Sequence, residues 1–279
     1  MHALVEAAER QPGWQASLCL GFDVRAGRSV LAERARKGPL AVQRPFYPEG
    51  DVCHVYLLHP PGGVVGGDRI DIETRVGQGA HALVTTPGAT KFYRSGGATA
   101  FQRQVLLIED GASLEWLPQE NIFFPGAEVA LDTRIELHGD ARIAYSEIQC
   151  LGRPVIGEPF DVGRVDSRLV IRRDGVPLMN ERLRVRADNR CRLSLMAGMA
   201  VGGTLVISHA GEQDIDACRD LLFASGTDYA GATLIEDLLV VRYLGNSTEN
   251  AHRLLRTVWQ RVRPATLGRA ASPPRIWAT

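Results

Sequence analysis

The stretch that decides the fold is "HPPGGVVGGDRIDIETRV", residues 59–76. Two glycine pairs bracket two valines, Asp68 and Arg69 follow, and then Ile70, Ile72, Thr74 and Val76 alternate with Asp71, Glu73 and Arg75. A phosphate-cradling Walker loop needs a Lys followed by Ser or Thr at the start of a helix, and "GGVVGGDR" carries neither. A dinucleotide loop of G-x-G-x-x-G form sits between a strand and a helix. Here a period-two run follows the glycines, the pattern of a strand with one buried and one wet face. The glycines therefore read as a tight corner that needs positive φ or close backbone approach. The chain reads as a β protein.

The same period recurs along the chain. In "QASLCLGFDV" Leu18, Leu20, Phe22 and Val24 fall on one face, and in "EVALDTRIEL" Val129, Leu131, Thr133, Ile135 and Leu137 do the same. Further strand candidates are "VCHVYLL", "AHALVTT", "QRQVLLIE", "ARIAYSEIQCL", "SRLVIRR" and "TLVISH", separated by turn clusters such as "GQGA", "RSGGAT", "EDGA", "HGDA" and "RRDG". Spacings of roughly 10–15 residues without intervening helices predict an antiparallel sandwich or a coiled, β-helix-like stack.

Two late segments break the pattern. "EQDIDACRDLLFAS" (212–225) places Ile215, Cys218, Leu221 and Leu222 at helical spacing. "STENAHRLLRTVWQRVRP" opens with Ser247 or Thr248 as N-cap and is expected to stop at Pro264. Its Ala251, Leu254, Leu255, Val258, Trp259 and Val262 form one stripe, with Arg253, Arg256, Gln260 and Arg263 on other faces. Such a stripe is either core packing or a partner-binding face.

Lys plus Arg equals Asp plus Glu, at 32 each, so no global field points to nucleic acid or to an acidic membrane. Apolar residues make up 45% of the chain and charged residues 23%, which suits a globular protein and argues against disorder. The opening "MHALVEAAERQPGW" lacks the basic end and apolar core of a leader, and no apolar run reaches the roughly 18 residues of a membrane helix. A cytoplasmic protein is expected, with residues 1–279 as one domain and without a convincing internal repeat. Five cysteines (Cys19, Cys53, Cys150, Cys191, Cys218) are scattered and odd in number, which gives no disulfide framework, and most of them read as small core residues. Seven histidines never fall into HxH or HExxH spacing, so no dedicated zinc or nickel centre is written in the sequence.

Polar residues stand out beside strands. Asp68 follows the glycines, Thr85 and Thr86 precede "PGATKFYRSGG", Glu115 sits in "LEWLPQE", Glu147 lies inside the apolar "ARIAYSEIQCLG", and Glu181 lies in "MNERLRV". A carboxylate among apolar neighbours is costly unless paired or wet. Ion pairing is the plain alternative, Asp68 with Arg69 and Glu181 with Arg182 or Arg184.

These residues in this order resemble the UreD (UreH) family of urease accessory proteins. The likeness runs from "GWQASLCLGFDVRAGRSVL" through "VYLLHPPGGVVGGD", "LVTTPGATKFYRS", "LEWLPQE", "EIQCLGRPVIGE" and "RDGVPLMNERL" to "PPRIWAT", and it departs at Pro125, where a polar residue is usual. The resemblance implies a mainly β fold, an elongated helical-β stack of antiparallel or mixed sheets with two late α-helices. It also implies a non-enzymatic chaperone that binds apo-urease and a UreF-like helical protein, which recruits a UreG-like GTPase for nickel insertion. The same resemblance implies that no cofactor is tightly bound and that Ni2+ passes along a polar internal path. Carried onto this sequence, the path falls to Asp68, Glu147 and Glu181, with Thr86, Thr90 and Lys91 as further members. Hard oxygen donors hold a divalent ion loosely, which suits an ion in transit. Apolar and aromatic content assigns partner docking to Leu254, Val258, Trp259, Ile276 and Trp277. Two other readings stay open, a hydrolase using Glu147 and Glu181 as an acid–base pair and an adaptor whose carboxylates are all ion-paired.

Overall fold

The computed structural model describes residues 13–226 and 229–278. Residues 1–12, on which the expected absence of a leader was read, and Thr279 of the terminal motif lie outside the described residues. Strand β1 (Gln15–Arg25) turns back into β2 (Arg28–Lys37), and the short β3 (Ala41–Val42) leads to β4 (Cys53–Leu58). The chain then coils. One turn comprises β5 (Arg69–Val76), β6 (His81–Thr85) and β7 (Thr90–Phe92), and the next β8 (Ala100–Ile108), β9 (Ser113–Trp116) and β10 (Asn121–Phe123). A third comprises β11 (Glu128–Leu137), β12 (Arg142–Arg153) and the short β13 (Glu158–Pro159). β14 (Arg164–Arg173) and β15 (Val176–Arg186) then form a hairpin, followed by β16 (Val201–Ile207), helix α1 (Glu212–Ala224), β17 (Ala230–Ile235), β18 (Leu238–Gly245) and helix α2 (Thr248–Leu267).

Two sheets result, in the orders β15-β14-β11-β8-β5-β1-β2 and β17-β18-β16-β12-β9-β6-β4-β3. Their middles are parallel, β1-β5-β8-β11-β14 and β4-β6-β9-β12, while the flanks are antiparallel. The expected coiled stack is therefore the architecture, mainly β with two α-helices among the described residues, and the antiparallel sandwich is not. A narrow third face closes the coil. There Val64, Phe92, Phe123 and Leu151 stack in register, all buried, with the Phe92 and Phe123 rings 5.2 Å apart.

The two sheets differ in sequence pattern for a physical reason. The first sheet has a wet outer face, so β11 alternates buried and half-buried residues along its whole length. The second is covered on both faces, by the first sheet inside and by α1 and α2 outside. All five residues of β6 are accordingly buried. The glycine corner behaves as its sequence predicts. Gly67 adopts φ +93°, and a side chain at Gly63 or Gly66 would strike Tyr93 or Ser95 respectively.

Several expectations are corrected. α2 runs through Pro264 and ends at Gly268, which is left-handed (φ +69°). Its last turn is pinned from outside: Arg142 donates to the Thr266 carbonyl, and Thr266 is buried. Arg263, expected on a face other than the apolar stripe, is fully buried with it. Val24 is exposed near the hairpin end of β1, whereas the cysteines are mostly core as expected, with Cys53, Cys150 and Cys218 buried, Cys19 half-buried and Cys191 exposed. The N-cap expectation holds at Ser247, whose hydroxyl accepts from Asn250 N–H.

Candidate functional site

A cavity of about 450 Å3 lies between the sheets. It opens because β9 stops at Trp116 while β12 runs on to Arg153, so Ser146, Glu147 and Ile148 lose a strand neighbour until β10 begins pairing at Gln149. The segment from Thr86 through the first residues of β7, Thr90 and Lys91, forms its rim. Thr86 braces that rim, donating to Gly88 O at 3.0 Å and accepting from Gln119 N–H at 2.9 Å. Inside, Gln102, Gln104 and Thr133 of the first sheet face Glu147 of the second. These three were missed by sequence reasoning, although polar residues at inward positions of period-two strands were a usable signal.

Glu147 sits deep between the sheets, yet the cavity leaves its carboxylate partly in contact with solvent. Tyr145 Oη donates to Oε2 at 3.1 Å and Gln149 Nε2 to Oε1 at 2.9 Å. Burial raises the Glu147 pKa above the ordinary glutamate value and the charge of Glu181 adds to it, while those two hydrogen bonds offset part of the rise. The same side chain also lines a second cavity, of about 640 Å3, at the end of the coil. Glu181 lines this second cavity and is ion-paired with Arg242, which also reaches Thr204 Oγ1 at 3.3 Å. The expected pairing of Glu181 with Arg182 or Arg184 is absent, because those two arginines face outward onto Asp166.

Asp68 lies outside both cavity walls. Its Oδ1 accepts from Trp14 N–H and its Oδ2 from Val65 N–H, both at 2.8 Å, so it caps the glycine corner. Arg69 pairs with Asp71 instead. The structure thus brings Thr86, Thr90, Lys91 and Glu147 to one cavity, Glu147 and Glu181 to the next, and leaves Asp68 behind the wall. Among the described residues, no three His, Cys, Asp or Glu side chains converge as a metal-binding group.

The family model described as UreD urease accessory protein matches residues 15–278. The chain belongs to this family. It is 49% identical to the urease accessory protein UreD of Alcanivorax borkumensis, over 98% of this chain and 95% of that one. It is 47% identical to the UreD proteins of Pseudomonas entomophila, over 99% and 98%, and Klebsiella aerogenes, over 96% and 97%.

In this member of the UreD family the stripe of α2 is core. Leu254, Val258 and Trp259 are buried against the second sheet, so they present no free docking face. A strand face and an amphipathic helix each have an apolar side to cover, and here they cover each other. Trp277, in the terminal turn Arg275–Ala278, packs edge-on to Trp259 at 5.5 Å and donates from Nε1 to Thr85 Oγ1 at 3.0 Å. Arg256 lies 4.4 Å over its ring. Ile276 beside it is half-buried. No helix among the described residues is long and apolar enough to cross a membrane.

Proposed function

We propose that this UreD-family chain is a non-catalytic scaffold of urease maturation, in which nickel is cargo passing through the two cavities. The observation that supports it is the position of Glu147 on the wall that both cavities share. Thr86, Thr90 and Lys91 stand on one side of it and Glu181 on the other. The Thr86 and Thr90 hydroxyls and the Glu147 and Glu181 carboxylates are oxygen donors in sequence, which suit a divalent ion that must leave as readily as it arrives, while the Lys91 ammonium is not a ligand. The raised pKa of Glu147 lets a proton compete for the same oxygens, which weakens the hold further.

In this reading the chain works in the cytoplasm as a unit of residues 1–279. It binds apo-urease and a UreF-like helical protein that brings a UreG-like GTPase. With Leu254, Val258 and Trp259 in the core, docking of the helical partner falls to the terminal turn around Ile276 and Trp277. Asp68 acts by holding the corner that shapes the rim, not as a donor on the path.

The test is co-production of Glu147→Gln with apo-urease and its accessory partners, reading nickel per urease active site by mass spectrometry and complex assembly by pull-down. An intact complex with urease nickel reduced several-fold is expected. An intact complex delivering full nickel would remove Glu147 from the path.

A further inference from the structure

The outer face of the β14–β15 hairpin carries an unusual cross-strand pattern. Arg164 lies directly opposite Arg186, and Arg168 directly opposite Arg182, with Asp166 opposite Arg184 between them. Like charges directly opposite on an antiparallel pair repel, and this hairpin has two such pairs around a single carboxylate. Asp166 is nearly buried under its arginines. It accepts from Arg182 Nε and Nη2 at 2.7 and 2.8 Å and from Arg164 Nη2 at 3.2 Å, and Arg184 Nε lies 3.4 Å away.

The imbalance is confined to the outermost strand. On the inner side, β14 lies beside β11, which sets Glu128, Asp132 and Glu136 opposite Arg164, Arg168 and Arg172. Among the described residues, Arg182, Arg184 and Arg186 have only Asp166 directly across the hairpin, with Asp132 acting on Arg182 from beyond β14. Asp166 is shared among its neighbours, and exposed Asp188 comes only within 4.0 Å of Arg186. The side chains of Arg164, Arg184 and Arg186 are more than half exposed, and each guanidinium has five N–H donors, more than Asp166 can take.

We propose that this face is a docking surface for an acidic segment of a partner protein. Partner carboxylates over the β15 members of the Arg164–Arg186 and Arg168–Arg182 pairs would supply on the open side the counter-charge that Glu128 and Asp132 give Arg164 and Arg168 on the other. The two pairs stand four residues apart along one face, roughly 13 Å at about 3.3 Å per residue, within reach of alternate side chains of one extended segment. Recognition falls to side chains rather than to strand addition. Asn189 takes the Arg184 carbonyl (3.1 Å) and the Arg186 N–H (2.8 Å), which closes that stretch of the edge. The carboxylates of β11 beside the patch and a net charge of zero disfavour a phosphate backbone laid across the sheet.

The test is fluorescence anisotropy of the purified full-length chain with labelled hexaglutamate, against labelled hexaglutamine and a short DNA duplex of matched charge. Hexaglutamate is expected to bind in a salt-dependent manner and the other two not to. The double variant Arg184→Gln/Arg186→Gln should weaken hexaglutamate by about tenfold or more. Arg103→Gln, an arginine lying between Asp71 and Asp132 in the same sheet, should leave binding unchanged. Circular dichroism melts check folding: losing Arg186 relieves its repulsion with Arg164, and Asp166 keeps its two bonds from Arg182 when Arg184 is removed, so the Tm of the double variant should change little. If that variant fails to fold, Arg186→Gln alone decides, with weakened binding again expected. Absent hexaglutamate binding, equal binding of the duplex, or a folded arginine variant that binds as the wild type would overturn the proposal.

Discussion

Arg263 and Glu115, both fully buried and 148 positions apart in sequence, meet in a fork with Nη2–Oε1 at 2.7 Å and Nε–Oε2 at 3.0 Å. The pair fastens α2 to the outer face of the second sheet. Trp259 Nε1 donates to Glu115 Oε2 at 2.7 Å, and His81 Nε2 lies 2.8 Å from Oε1. On its other side Arg263 meets Glu49 at 2.7 and 2.9 Å, and Glu49 in turn meets His54 at 2.7 Å. One guanidinium thus lies between two carboxylates, with most of their lone pairs taken.

Removing the cation should be far more damaging than an exposed charge change. Arg263→Met leaves Glu115 and Glu49 buried without their shared partner, and the expected loss is about 3–5 kcal/mol. Urea denaturation of the variant against the wild type measures it. A loss below about 1 kcal/mol, the size of an exposed pair, would mean that water reaches this site.

Acid should release the same clamp. Burial by itself would raise the Glu115 pKa, but the hydrogen bond and charge of His81, and then those of Arg263, bring it down to about 2 from 4.5. Below 4.5 the unfolded chain takes up a proton that the folded chain still refuses. The stability from this group is therefore complete above pH 4.5 and is lost as the pH falls from there to about 2. Glu115→Gln should flatten that acid limb in thermal melts run along a pH series. An equally steep limb in the variant would assign the loss to other carboxylates.

Glu147 has the opposite sign. Its raised pKa keeps it protonated in the folded chain where an unfolded glutamate would ionise, so its contribution is fullest below 4.5 and is eroded as the pH rises through the raised value. Ion binding needs the carboxylate. Weak Ni2+ uptake measured by titration calorimetry should therefore fade, on acidification, at a higher pH than an ordinary glutamate would give. Glu147→Gln should remove that pH dependence and gain stability at neutral pH, and a variant with the wild-type profile would contradict the assignment.

For Asp68 the expected effect is on stability. Asp68→Ala strands the N–H groups of Trp14 and Val65, at a cost of about 1–3 kcal/mol. Chemical denaturation reads this directly. Should stability stay unchanged while nickel transfer fails, Asp68 belongs to the path after all.

The strands of the first sheet were legible because their two faces meet different solvents, and Ile70 through Val76 and Val129 through Leu137 show it residue by residue. β2 and β15 were not picked out. β2 is an edge strand whose second half is exposed and charged, and β15 starts with Val176 and Pro177 at the surface, so neither has a clean alternation. The end of α2 was misplaced at Pro264 because a rule about local backbone was outweighed by contacts from Arg142 and the buried Arg263. For the candidate site, the sequence marked Glu147, since a carboxylate in an apolar strand is conspicuous. It could not mark which carboxylate faces empty space.

By itself the sequence determined the period of the strands, the glycine corner, the two helices and the family, because spacing, turn chemistry and motif order are properties of the chain read in line. Only the tertiary structure decided that Glu147 borders both cavities while Asp68 is spent on two backbone N–H groups. It alone turned an arginine read as lying off the apolar stripe into the centre of a buried clamp. The reason is physical: the charge state and exposure of a side chain depend on neighbours that folding brings together, from 54 positions away at Asp68 and 148 at Arg263.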